Sequence, residues 1–111
     1  MYEMVAIWDP GSECTTISRK VAAELNLAVI GEVESHHTGG HSTAYTYLLN
    51  LRLPNGIEFE GLRVMDGKFD DVDVLIGMDV LSQCDFAITH PNNQTKVSFQ
   101  IPTIDDVDYS K

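Results

Sequence analysis

The most regular pattern in the chain runs from Ser42 to Leu53, where apolar and polar positions alternate with a period of two. Tyr45, Tyr47, Leu49, Leu51 and Leu53 fall on one face, and Ala44, Thr46, Leu48, Asn50 and Arg52 on the other. That is the alternation of a strand with one face turned to a core. Val29 to His37 supplies the arm before it, and Thr38-Gly39-Gly40-His41 the tip, so a hairpin is predicted. Pro54-Asn55-Gly56 makes a second tight turn into Ile57-Glu58-Phe59-Glu60, continued past a bulge at Gly61 by Leu62-Arg63-Val64.

Shorter signals flank these hairpins. Met4 to Trp8 is an apolar run suited to a buried strand, and Thr15 to Ser18 is a second extended piece. Ser18 is placed to cap a helix through Leu25, with Val21, Ala22 and Leu25 on one face and Asn26 as its stop. Met65 to Asp73 reads as a solvated acidic loop carrying Asp66, Asp70, Asp71 and Asp73. The run from Asp73 then forms a strand that breaks at Gly77, where Asp79 is expected to cap a short helix through about Cys84. Phe86–His90 and Thr95–Ile101 make a last hairpin around Pro91-Asn92-Asn93, with Val97, Phe99 and Ile101 inward. Seven or eight short strands with two small helices predict an all-β, closed domain.

Composition narrows the classes of partner. A length of 111 residues is that of one domain, and 43% hydrophobic residues suit a globular core. Seventeen acidic residues against seven Lys and Arg leave a net charge of −10. Nucleic acid and anionic membrane surfaces both require a basic face, so neither is expected as a partner. No 18-residue apolar run and no signal-type leader is seen. Cys14 and Cys84 stand in no CxxC or zinc spacing, so a soluble, cytoplasmic chain with free thiols is expected. Cys14 has no assignable partner base and reads as a small packed residue rather than a nucleophile.

Candidate chemistry centres on Val5-Ala6-Ile7-Trp8-Asp9-Pro10-Gly11-Ser12. An apolar run feeds a single Asp, and a Pro-Gly turn throws the chain away from it. A carboxylate set at a strand end with Gly beside it suits a site where backbone must approach a ligand closely. Asp-Pro-Gly is also good turn chemistry anywhere, so this stretch alone leaves both readings open. The sequence from Asp66 to Asp73 lacks the spaced ligands and closing Glu of an EF-hand.

Two segments, Ala6-Ile7-Trp8-Asp9-Pro10-Gly11-Ser12 and Asp73-Val74-Leu75-Ile76-Gly77-Met78-Asp79-Val80-Leu81, bracket a hairpin with a Gly-rich tip. This order resembles the retropepsin-like aspartic proteases: two apolar residues, Asp-Thr/Ser-Gly-Ala/Ser, a flap, then two apolar residues, Gly and a short helix. The Ile-Gly-Met-Asp version resembles the bacterial and phage-like members more than the viral ones. The resemblance covers roughly residues 4–102, within a domain expected over 1–102 and followed by an acidic, loose tail over 103–111.

The resemblance implies a closed acid-protease-type β-barrel with a flap hairpin and one or two short helices, one lobe per chain. It implies an endopeptidase acting on peptide or protein substrates without cofactor or metal. The dyad would be Asp9 from each chain of a homodimer, two carboxylates sharing one proton because like charges about 3 Å apart do not both ionise. Pro10, Gly11 and Ser12 would form the active-site loop, with the Gly11 N–H reaching a carboxylate oxygen. Thr38, Gly39, Gly40 and His41 would be the flap, and Leu75, Ile76 and Gly77 the pocket wall. His36, His37 and His41 then read as a polar flap, with no Cys pair to complete a zinc set.

Two positions depart from the family pattern. Pro10 stands where the family has Thr or Ser, and it brings neither hydroxyl nor N–H to knit two loops across a dimer axis. Met78 stands where viral members often place an Arg, which leaves Glu13 to solvent. A protease-like binding or dimerisation domain that lost catalysis through Pro10 is therefore the rival expectation.

Overall fold

The computed structural model describes residues 2–37 and 39–110. Strands β1 (Ala6–Trp8), β2 (Thr16–Ser18), β3 (Gly31–His37), β4 (Gly40–Arg52), β5 (Glu58–Gly67) and β6 (Val74–Ile76) form one sheet in the order β1-β6-β2-β5-β4-β3. β1 runs parallel to β6, and β2 runs antiparallel to β6 and parallel to β5. Among the described residues, β7 (Asp85–Thr89) and β8 (Lys96–Gln100) pair only with each other. The fold is thus mostly β, as expected, but the closed barrel is not formed among the described residues. Each short strand finds a ladder partner, while β1 and β3 remain as the two ends of an open sheet.

Helix α1 (Arg19–Glu24) begins where the sequence places it. The Ser18 hydroxyl accepts the Val21 N–H at 3.1 Å, and Asn26 adopts the left-handed conformation just past the helix. Val21 and Ala22 turn into a core shared with Ile17, Tyr47, Val64, Val74 and Ile76. Removing a fully buried Val or Ile side chain from water contributes about 1.5–3 kcal/mol. The second helix, α2 (Met78–Leu81), differs from expectation. Gly77 occupies the capping position, and Asp79 lies inside the first turn.

The β3–β4 hairpin is tighter than its Gly-rich sequence suggests. Gly40 pairs with His37 and His41 with His36, so both belong to the ladder rather than to the tip. Thr38 lies outside the described residues. The expected face of β4 holds in part: Tyr47 and, just past the strand, Leu53 are buried and Leu49 and Leu51 half-buried, but Tyr45 is exposed and Thr46, expected on the outer face, is buried. The register slips between Leu49 and Leu51, where Gly61 takes a φ of 62° and donates its N–H to Asn50 Oδ1 at 2.9 Å.

Four further expectations are corrected. Asp66 belongs to β5 and is buried, because that strand continues three residues beyond Val64 to pair with β2. Asp73 is half-buried and accepts the Val5 N–H at 2.8 Å, so the acidic segment is not uniformly solvated. Val97 is exposed, since the outer half of the β7–β8 hairpin extends past the core. The start of the tail is held, with the N–H groups of Ile104 and Asp105 both donating to Asp85 Oδ2.

Trp8 joins the small hairpin to the sheet. Its ring lies 5.3 Å from Phe86 and 5.0 Å from Phe99, both tilted by about 50°.

Candidate functional site

Because β1 and β6 are parallel neighbours, the turns leaving Trp8 and Ile76 emerge at the same end of the sheet. The Asp9 N–H donates to the Ile76 carbonyl at 2.8 Å, which extends the ladder by one residue. Pro10 and Gly11 then form the turn, closed by Ser12 N–H to the Asp9 carbonyl at 3.1 Å. The Gly11 N–H donates to Asp9 Oδ1 at 3.1 Å. Asp9 is half-exposed, while Pro10 and Gly11 are exposed. Among the described residues, the Gly11 N–H is the one donor to the Asp9 carboxylate, so its second oxygen keeps its acceptor capacity.

The turn is braced from behind by the segment starting at Gly77. A Cβ at Gly77 would lie 2.7 Å from the Cys14 carbonyl carbon and 2.8 Å from the Ser12 oxygen, so only glycine fits this approach. The Met78 and Asp79 N–H groups donate to the Ser12 and Glu13 carbonyls at 2.8 and 3.1 Å. Thr15 completes the brace. Fully buried, it donates Oγ1–H to Asp79 Oδ1 at 2.7 Å and N–H to Asp79 Oδ2 at 2.9 Å, and it accepts the Gly77 N–H at 3.2 Å. Asp79 therefore joins the two turns with its carboxylate, and its Oδ1 also accepts the Val80 N–H of α2 at 2.9 Å, although Gly77 holds the capping position. Glu13 and Cys14 are exposed, which corrects the expectation of a packed thiol.

Leu75, Ile76 and Gly77 divide between two faces. Ile76 and Gly77 are buried, Ile76 within the core, whereas Leu75 faces the other way. The pairing aligns Ile7, Leu75, Thr16, Met65, Thr46 and Gly31 in one row across all six strands, on the face opposite the core. Ile7 is 44% exposed, and Leu75, Thr16 and Met65 are half-buried. Ile7 and Asp9 share a face by the two-residue period of an extended chain, so this apolar row leads up to the carboxylate. Sequence reasoning missed Ile7, Thr16 and Met65. The signal for Ile7 was its position two residues before Asp9; the other two depend on register between distant strands.

The flap residues Gly39, Gly40 and His41 are exposed at the end of the β3–β4 hairpin. No group of three or more His, Cys, Asp or Glu with metal-holding geometry is found among the described residues. No helix among them is long and apolar enough to cross a membrane.

A second polar centre was not anticipated. Asp66, 6% exposed, accepts the Tyr47 O–H on Oδ2 at 2.9 Å and the Tyr45 N–H on Oδ1 at 3.1 Å, with Arg19 Nε 3.9 Å from Oδ1. Burial, with the Asp66 carboxylate beside it, raises the Tyr47 phenol above its ordinary value. A cavity of about 500 Å³ opens beside this cluster between α1 and β4, and another of about 650 Å³ lies between the β7–β8 hairpin and the tail. Asp9, half-exposed, lines neither.

Compared with protein-family models, with curated proteins and with solved structures, the chain matches none.

Proposed function

We propose that the chain is one acid-protease-type lobe of a homodimeric aspartic endopeptidase, with Asp9 of each copy forming the dyad. The observation that carries this reading is the Asp9 turn: a half-exposed carboxylate oriented by the Gly11 N–H and braced by the Gly77 segment. Such a carboxylate keeps one oxygen for a water or a second carboxyl group. The exposed apolar residues Ile7, before the turn, and Met78, behind it, favour coverage by a second copy. Leu75, with Thr16 and Met65, would form the floor under a peptide, and the β3–β4 hairpin the flap above it.

In that dimer the ionised Asp9 takes a proton from water as its oxygen attacks the scissile carbonyl carbon, while the protonated Asp9 donates to the carbonyl oxygen. Collapse of the resulting diol passes a proton to the leaving nitrogen as the C–N bond breaks. Replacing Asp9 by Asn should lower peptide cleavage between acidic and neutral pH by about 10²–10⁴-fold. Unchanged cleavage would eliminate the reading.

Pro10 favours one alternative, a binding or dimerisation domain of the same architecture without catalysis. It is exposed at the apex of the turn and offers no donor to a facing loop. On this alternative, Pro10→Thr creates cleavage or pepstatin binding where the native chain has none. Native binding of that inhibitor would remove it.

A further inference from the structure

Among the described residues, β5 pairs with β4 from Thr46 onward, and residues 40–45 take β3 as their strand neighbour. Thr46 pairs with Met65, so the next rung would set Tyr45 against Asp66. At that rung the strands part, because β5 runs on beside β2, with Asp66 against Ile17. The Tyr45 N–H is met there by the Asp66 carboxylate instead of a main-chain carbonyl. The other carboxylate oxygen takes the Tyr47 hydroxyl. Arg19 on α1 spans the same fork, with Nε 3.9 Å from Asp66 Oδ1 and Nη2 3.4 Å from the Thr43 carbonyl, two residues further along the hairpin arm.

We propose that Asp66 is a positioning residue that latches the root of the β3–β4 hairpin and sets how freely its arms leave the sheet. Four groups from α1 and β4 converge on this junction: Arg19, Thr43, Tyr45 and Tyr47. A buried carboxylate is costly unless its oxygens are occupied, so its placement at the last rung needs these donors. Asparagine at this position presents one oxygen and one NH₂ group, so one of the two donors loses its acceptor. The hairpin arm then loses its fixed root while the β4–β5 ladder below is kept. That this controls access to Asp9 rests on the endopeptidase reading; the latch itself does not.

Amide hydrogen exchange on the full chain tests the latch directly. In Asp66→Asn, exchange at residues 40–45 should quicken about ten- to hundredfold relative to residues 58–64, the range expected for loss of one hydrogen bond to a charged acceptor. Tyr47→Phe keeps the ring and removes one donor, and should give a smaller change of the same pattern. Arg19→Gln, at a half-exposed site, guards against the case where Asp66→Asn fails to fold, and it too should quicken the arm selectively. Equal acceleration in both segments, or none in the arm, overturns the latch. Loss of cleavage in Asp9→Asn with the latch pattern absent rejects the latch alone; the latch pattern with full cleavage in Asp9→Asn rejects the endopeptidase alone.

Discussion

Asp9 and Asp66 are the same residue type, one just past the edge strand β1 and the other on the interior strand β5, and the fold treats them in opposite ways. Asp9 sits half-exposed after a three-residue strand and receives one donor, from its own turn. Asp66 is buried, receives two donors from β4, and has Arg19 within reach. A carboxylate whose lone pairs are taken up by its own protein holds chain segments together; one with lone pairs left over can meet a water, a partner or a substrate. Asp79 belongs with Asp66, since both its oxygens are engaged by Thr15.

Exchanging the two losses is the sharpest way to break this contrast. Asp9→Asn should remove cleavage, a barrier increase of about 3–5 kcal/mol for the fold-change stated above, and leave denaturant stability within about 0.5 kcal/mol. Asp66→Ala should do the reverse in stability, costing about 2–4 kcal/mol because the buried Tyr47 hydroxyl and the part-buried Tyr45 N–H both lose their acceptor. A chemical denaturation series on both variants decides it; a large stability loss in Asp9→Asn would show that its carboxylate is structural after all.

The brace behind Asp9 gives the next effect in size. Gly77→Ala forces a Cβ against the Cys14 and Ser12 backbone, and should cost about 1–3 kcal/mol in the same experiment. Cleavage should fall further than stability predicts, because the Asp9 turn is what moves. Tyr47→Phe is milder on the Asp66 side, at about 1 kcal/mol.

The smallest effect is a pH response in the tail. Backbone hydrogen bonds from Asp105 and Ile104, with a further one from Gln100, hold the Asp85 carboxyl below its usual range. A depressed carboxyl contributes stability that is present above the ordinary Asp range and lost as pH falls through the lowered value. NMR signals of Ile104 and Asp105 should therefore shift on acidification before the core unfolds. Asp85→Asn should abolish that step.

Where the sequence was legible, the information was local. The Ser18 cap, the Asn26 stop, the alternation through β4 and the Pro54-Asn55-Gly56 turn each depend on neighbours a few residues away. The Asp9 turn was legible for the same reason, whereas the Gly11 N–H on its carboxylate was expected only from the family resemblance. What escaped depended on residues far apart in the chain. Asp66 looks like one more acid in a run of acids until Tyr47 and Arg19 are brought to it from two other elements. Closure misled for a related reason: alternation tells which face of a strand is apolar, but not whether the last strand returns to the first.

The junction at Trp8 has a practical consequence. It is the single tryptophan of the chain, and it stands next to Asp9 in sequence while its ring rests on Phe86 and Phe99. The intrinsic fluorescence of the protein is therefore the signal of one indole at the seam between the main sheet and the small hairpin. Emission will redden when the hairpin lifts away and will change when a ligand settles beside Asp9. Unfolding kinetics, and titrations that test the endopeptidase proposal, can thus be followed on the unlabelled, unmutated chain.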